Sequence, residues 1–163
     1  RYGEAAPRRP GSAWVRSLIA CCGVALTVVT ATARAGGNPG DSQRIDAGRR
    51  VYVAQCAACH GLHGEGQPSW DRPNAAGEMP APPHDRTGHT WKHSDAMLYR
   101  LIKSGWRDPF NKTQRLTMPA FGQTLSPKEI RDVIEYLKTM WTPEQRRFQL
   151  EESQQAPFPP EAR

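Results

Sequence analysis

The 163-residue chain is poor in cysteine and in patterns typical of β-strands. Its four cysteines form two close pairs, at positions 21–22 and 56–59, and these are too few for a disulfide scaffold. No segment shows the apolar–polar alternation of a half-buried strand. The 15 prolines exclude a long coiled coil or a large regular helical bundle. What remains is a domain of short helices joined by loops.

Acidic residues are also scarce at the N-terminus, where Glu4 is the only one before residue 41. Four arginines there precede an apolar stretch, Leu18–Val29, which is followed by the small-residue site Ala33–Ala35. This order of charged, apolar and small residues is typical of a secretory signal peptide. We therefore predict a signal peptide at residues 1–35, a spacer at 36–41, and an exported, periplasmic protein.

Two other interpretations of the N-terminal segment stay open. Residues 17–33 could remain as an uncleaved membrane anchor, although 17 residues is at the lower limit for spanning about 30 Å of hydrocarbon. A membrane-anchored location is therefore the second choice. Leu18–Cys21 also looks like a lipoprotein acylation site, but the strongest apolar run follows the cysteine instead of preceding it.

The basic charge of the chain is concentrated in this leader. Residues 1–35 hold five of the 22 basic residues and one of the 16 acidic residues, so the rest of the chain carries a net charge of +2 instead of +6. Strong positive charge is the main signal for nucleic-acid binding. A nucleic-acid partner is therefore not expected.

Three helices are predicted from apolar periodicity and end signals. The first covers Ser42–Ala57, with a polar residue available to cap its start. The second covers Asp95–Ser104 and ends at a glycine. The third begins after Ser126, where a capping box is combined with proline at the first helical position, and it extends to Trp141.

Two long loops separate these helices. Gly61–Lys92 and Trp106–Thr124 are rich in Gly and Pro, and loops this long inside a domain are often functional. Three short helices bury little surface, so the domain at residues 42–142 needs a large prosthetic group to fill its core. Residues 143–163 are polar and lack periodicity, which predicts a flexible C-terminal tail.

Cys56-Ala57-Ala58-Cys59-His60 is the motif that carries the chemistry. Two thiols at this spacing can form thioether bonds to the two vinyl groups of a haem, and the next histidine can bind the iron. A thioredoxin-like dithiol would need a βαβ context, and a zinc site would need two more ligands at matching spacing. The pattern favours Cys56 and Cys59 as haem attachment residues and His60 as the proximal iron ligand.

The second axial ligand is predicted to be Met118. Two of the four methionines lie in apolar helix stripes and are assigned to core packing. Met79 and Met118 each precede a proline in a loop. Met118 lies much further along the chain from His60 than Met79 does, so a whole loop is available to carry it to the opposite face of the haem. Met79, a histidine of the segment 84–93, and a vacant position remain as alternatives.

With these motifs, the sequence resembles class I, single-haem bacterial cytochromes c over residues 44–141. The matching features are Gly48-x-x-x-Tyr52-x-x-x-Cys56, Cys56–His60, Gly64 and Gly66, Pro82-Pro83-x-Asp85, Thr87-Gly88, Ser94-Asp95-x-x-Leu98, Met118-Pro119-Ala120-Phe121, Leu125-Ser126 and Tyr136-Leu137. The resemblance implies an all-α cytochrome c fold, with three main helices and long loops wrapped around one covalently attached haem. It implies that Gly48 and Tyr52 pack against the Tyr136-Leu137 turn.

The resemblance also implies that a proline carbonyl orients His60. Four prolines in or beside the loop after the motif compete for this role: Pro68, Pro73, Pro82 and Pro83. The expected function is one-electron transfer between redox protein partners by a monomer that is not an enzyme. A haem-bearing subunit of a membrane oxidase or dehydrogenase, and a haem protein with an open iron site, are the alternatives.

A docking face for an acidic redox partner is the second interpretation of one group of basic residues, after an ordinary solvated surface. Basic residues flank the segments that would cover the distal side: Lys92, Lys103, Arg107, Lys112 and Arg115. Such charges steer the approach of a partner more than they add affinity.

Overall fold

The computed structural model describes residues 39–109, 111 and 115–163, all of which belong to the compact unit Ala35–Arg163. The predicted signal peptide at residues 1–35 lies outside the described residues, as do the first three residues of the predicted spacer. The last three spacer residues, 39–41, form the first turn of a helix. Proline suits that position because its missing N–H group needs no partner there.

Five α-helices make up the described part of the chain: α1 (Pro39–Gln55), α2 (Ala57–His60), α3 (Asp95–Ser104), α4 (Pro127–Lys138) and α5 (Pro143–Gln155). Two 3₁₀ turns lie at Thr90–Lys92 and Pro160–Ala162. Residues 39–109, 111 and 115–163 contain no β-strand, only one isolated antiparallel bridge. The prediction of an all-α fold is confirmed.

The predicted starts of α3 and α4 are confirmed by their caps. The Ser94 hydroxyl accepts a hydrogen bond from the backbone N–H of Met97 at 3.3 Å. At α4, Ser126 and Glu129 form the complete capping box, with each side chain bonded to the other residue's backbone N–H. These contacts satisfy N–H groups that the first helical turn leaves without partners.

Helices α1 and α4 pack against each other more extensively than any other pair of elements. Gly48 makes this possible, because a Cβ atom there would lie 1.9 Å from the backbone oxygen of Asp132. One turn further along α1, the Tyr52 ring packs on the Tyr136 ring with 5.4 Å between centroids. The sequence resemblance implied this contact between the first and last helices of the domain.

The core is formed mainly by apolar side chains of α3, α4 and the residues that follow them. Twelve hydrophobic residues of the described ranges are buried: Tyr52, Leu98, Tyr99, Ile102, Leu125, Ile130, Val133, Ile134, Leu137, Trp141, Phe158 and Ala162. Two of these, Phe158 and Ala162, lie in the segment that the sequence predicted to be a flexible tail. Burying them removes apolar surface from water and so fixes the tail on the domain.

The prediction of a flexible tail at residues 143–163 is therefore wrong. Helix α5 begins with a second capping box, in which Thr142 and Gln145 bond to each other's backbone. A buried polar network, formed by Asp95, Lys138, Gln149 and Ser153, then joins α5 to α3 and α4. Its bonds run from Gln149 Nε2 to Asp95 Oδ1 at 2.8 Å and to Ser153 Oγ at 2.8 Å, and from Lys138 Nζ to Asp95 Oδ1 at 2.8 Å.

Within the described residues, no helix combines the length and the apolar character that crossing a bilayer requires. The predicted anchor at residues 17–33 lies outside this part of the chain.

Candidate functional site

The Cys56–His60 motif forms one helical turn that continues the path of α1. The backbone N–H of Cys56 donates to the Tyr52 oxygen at 2.9 Å, and the N–H of His60 donates to the Cys56 oxygen at 2.9 Å. Both cysteines are free thiols; Cys59 is exposed and Cys56 is partly buried. The turn therefore presents two unbonded thiols and an imidazole within five residues of one short element.

The Cys56 thiol does not have the character of a reactive redox cysteine. Burial, with a smaller effect from Cys59, raises the pKa of Cys56 to about 11, whereas catalytic cysteines have lowered pKa values. Zinc has no support either, because no group of three His, Cys, Asp or Glu side chains in the described ranges could hold a metal ion. Neither observation favours the dithiol or the zinc interpretation of the C-x-x-C pair.

The His60 imidazole is held by a hydrogen bond to Pro82. His60 is 8% exposed, and its Nδ1 lies 2.9 Å from the Pro82 carbonyl oxygen. A carbonyl oxygen only accepts, so Nδ1 carries the proton and Nε2 keeps its lone pair. Burial lowers the pKa of His60, partly offset by the Pro82 bond. A neutral imidazole with a fixed tautomer is the form that binds a metal.

Backbone hydrogen bonds bring Pro82 under the motif. The Gly64 oxygen accepts from the N–H of His84 at 2.7 Å, and the N–H of Gly66 donates to the His60 oxygen at 2.8 Å. Gly64 has a φ of +79°, a conformation that glycine adopts without steric cost. The sequence left four prolines as candidates, and the structure selects one because these bonds fold the loop back onto His60.

A second imidazole, His84, lies against the face of His60. The two ring centroids are 3.9 Å apart, and the ring planes differ by 23°. Burial, followed by the nearby His60 and His89, lowers the pKa of His84 well below the usual range. Rings in face-to-face contact cannot bind one iron from opposite sides. This geometry argues against His84 as the ligand trans to His60.

The other two histidines of segment 84–93 contact aromatic rings and each other. His89 stacks on Trp70 at 5.6 Å between centroids and meets the edge of His93 at 5.5 Å. Burial lowers the pKa of both imidazoles. Ring contacts of this kind are typical of packed aromatic side chains. They do not indicate a ligand role for His89 or His93.

Met118 is fixed by the isolated bridge to Trp106. Each backbone N–H donates to the other residue's carbonyl oxygen at 3.0 Å, and Met118 is partly buried against the core that Cys56 also contacts. Met79 is attached to the same segment, since its N–H donates to Asp108 Oδ2 at 2.7 Å. The structure thus fixes both loop methionines, and only Met118 is among the residues packed against the core.

The basic residues of the predicted docking face have unequal surroundings. Lys103 pairs with Glu161 at 3.2 Å, and Arg115 pairs with Glu78. The Lys92 ammonium lies 5.2 Å from the Trp91 ring centroid. Lys112 lies outside the described residues. Two of the predicted charges are therefore already matched by acids of this chain.

Large apolar side chains are exposed on the segments that carry the motif and Met118. They are Val53 at 48%, Leu62 at 54%, Trp106 at 47% and Leu116 at 41% exposure. A flat apolar prosthetic group beside the Cys56–His60 turn would cover surface of this kind. Together with two free thiols and an imidazole whose Nε2 can bind a metal, these residues fit a covalently attached haem.

A family model described as Cytochrome c matches residues 45–141, which is more than half of the chain. The chain therefore belongs to the cytochrome c family, whose members bind covalently attached haem c with iron. It is a haem-binding electron-transfer protein. No curated protein and no solved structure matched the chain.

Proposed function

We propose that this chain is a one-electron carrier of an exported, periplasmic electron-transfer chain, with a single haem ligated by His60 and Met118. The observation that carries the proposal is the 2.9 Å bond from His60 Nδ1 to Pro82 beside two free thiols on one helical turn. When bound, the haem supplies an iron that alternates between ferrous and ferric states and so carries one electron at a time.

Each residue of the turn has a distinct role in holding the group. Cys56 and Cys59 would form the two thioether bonds to the haem, and the Nε2 atom of His60 would bind its iron. The Pro82 carbonyl fixes the imidazole tautomer and increases the basicity of the ring, as second-shell acceptors do at metal sites. The motif turn follows α1 directly, and the backbone hydrogen bonds from Gly66 to His60 and from His84 to Gly64 hold the Pro82 loop against it.

Met118 completes the ligand set through its thioether sulfur. The bridge to Trp106 and the following Pro119 restrict the backbone of this residue, and so would position its side chain beside the haem. A His/Met pair gives a relatively high reduction potential. If His60 and Met118 both hold the iron, no position would remain for oxygen, which would favour electron transfer over an enzymatic role.

The redox partners are proteins that dock transiently beside the motif. Lys92 and Arg107 are exposed basic residues of the predicted docking face, and they would steer an acidic partner. Such encounters bury little surface, which agrees with a monomeric carrier. Export follows from the predicted leader at residues 1–35.

Intact-mass spectrometry of protein made in a host that attaches haem tests this proposal. We expect a chain that starts at Gly36 and carries one haem, and a redox titration with a single one-electron transition. The variant with both Cys56→Ala and Cys59→Ala should lose the haem mass. Cys21→Ala is the matched control, and its mature mass should equal that of the wild type. A wild-type mass without haem would refute the proposal.

A further inference from the structure

The contact between His84 and His60 is unusual because it places a second imidazole flat on the proposed iron ligand. Their centroid separation of 3.9 Å is van der Waals contact between ring faces, and the planes differ by 23°. The Tyr52 ring also lies near His84, with 6.3 Å between centroids and 69° between the ring planes. Nothing in the ligand set described above requires this histidine.

His84 is itself fixed at three points. Its N–H donates to the Gly64 oxygen at 2.7 Å, and its carbonyl accepts from Trp141 Nε1 at 2.9 Å. Its Nδ1 lies 2.9 Å from Thr90 Oγ1. The Thr90 hydroxyl donates to the Pro83 oxygen at 3.3 Å, so its oxygen accepts from His84 Nδ1–H. The ring cannot turn without breaking this chain of bonds.

The two contacts on His60 restrain different motions. The χ2 torsion of histidine has a broad energy profile, so the ring needs external contacts to hold one angle. The Pro82 bond restrains the position of Nδ1 at one edge of the ring. Rotation of His60 about χ2 would move a ring edge into the face of His84, which is held by Thr90 and cannot retreat.

We propose that His84 is a positioning residue that sets the rotational orientation of the His60 imidazole, and through it the orientation of the ligand plane at the iron. The inference rests on the proposed function, because His60 is an iron ligand only there. Contacts of this kind orient metal-bound rings and tune the metal. The flat face of the His84 ring acts by blocking rotation of the His60 ring about χ2.

Proton NMR of the oxidised holoprotein tests this role, since the spread and order of the haem methyl shifts report the orientation of the axial imidazole plane. His84→Leu removes the flat ring, and His84→Phe keeps it without the nitrogen atoms. We expect a changed methyl order in His84→Leu and a pattern close to the wild type in His84→Phe. Thr90→Val, which removes the hydroxyl that holds His84, should shift the pattern in the same direction as His84→Leu.

His93→Leu is the matched control, because this histidine lies in the same loop and its ring contacts His89 instead of His60. Its methyl pattern should equal that of the wild type. An unchanged pattern in His84→Leu with haem still attached, or the same change in His84→Phe and His84→Leu, would overturn the inference. Wild-type protein without covalent haem would instead overturn the proposed function.

Discussion

Replacing Gly48 with alanine would push α1 away from α4, because the two backbones touch at this residue. A Cβ atom at Gly48 would lie 1.9 Å from the Asp132 oxygen and 2.9 Å from the Tyr136 Cβ. The oxygen belongs to the backbone of α4 and cannot rotate aside. Overpacking costs about 1–3 kcal/mol, and a contact this short belongs near the upper end of that range. The better helix propensity of alanine returns about 1 kcal/mol.

The expected net result is a loss of about 2 kcal/mol in the free energy of unfolding, from the difference between overpacking and propensity. Urea unfolding of the holoprotein, followed by circular dichroism, measures this loss. Ala54→Gly, at an exposed position of the same helix, is the matched control; it changes propensity alone and should cost about 1 kcal/mol. A Gly48→Ala protein as stable as the wild type would refute the close approach of the two helices.

Two further substitutions test the caps and the C-terminal segment. Ser126→Ala should cost about 1 kcal/mol at neutral pH. Hydrogen bonds from Ser126 hold the pKa of Glu129 below its usual range, so this carboxylate stabilises the fold above its unfolded-state pKa of about 4.3. The stabilisation from the Glu129 carboxylate is lost as the pH falls through its lowered folded-state pKa. The cost of Ser126→Ala should therefore decrease towards acid pH, and a cost that does not change with pH would contradict this role of Glu129. Ser153→Ala removes a hydroxyl of the buried polar network and should lower the free energy of unfolding by about 1–3 kcal/mol. Thermal unfolding measures this loss, with the exposed Gln154→Ala as the control. Equal unfolding midpoints in the two variants would show that the Ser153 contacts do not stabilise α5 on the domain.

The sequence predicted helix starts well where capping and proline coincide, as at Ser126. The same signal stands at Thr142, where Pro143 and Gln145 complete the pattern, although the polar composition of the tail points away from a helix. Helix α5 has no broad apolar face. It is stabilised by contacts with residues far away in the sequence, such as the bonds from Gln149 to Asp95, and local periodicity cannot show these.

In the candidate site, too, the sequence indicates the residues that are close together in the chain and misses those that the folded loop brings in. Cys56, Cys59 and His60 are neighbours in the sequence, so their spacing alone indicates the chemistry. Pro82 and His84 reach His60 only because the long loop folds back through backbone hydrogen bonds. The sequence narrowed the orienting proline to four candidates and gave no signal for the stacked histidine, because ring stacking depends on loop geometry.

The red sulfur-to-iron absorption band of the oxidised holoprotein tests the account most directly, because it reports whether a methionine thioether binds the iron. If His60 and Met118 bind the iron, we expect this band in the wild type and in the matched control Met79→Leu. We expect loss of the band in Met118→Leu, together with faster carbon monoxide binding to the reduced protein. A band that survives in Met118→Leu, or that disappears in Met79→Leu, would contradict ligation by His60 and Met118.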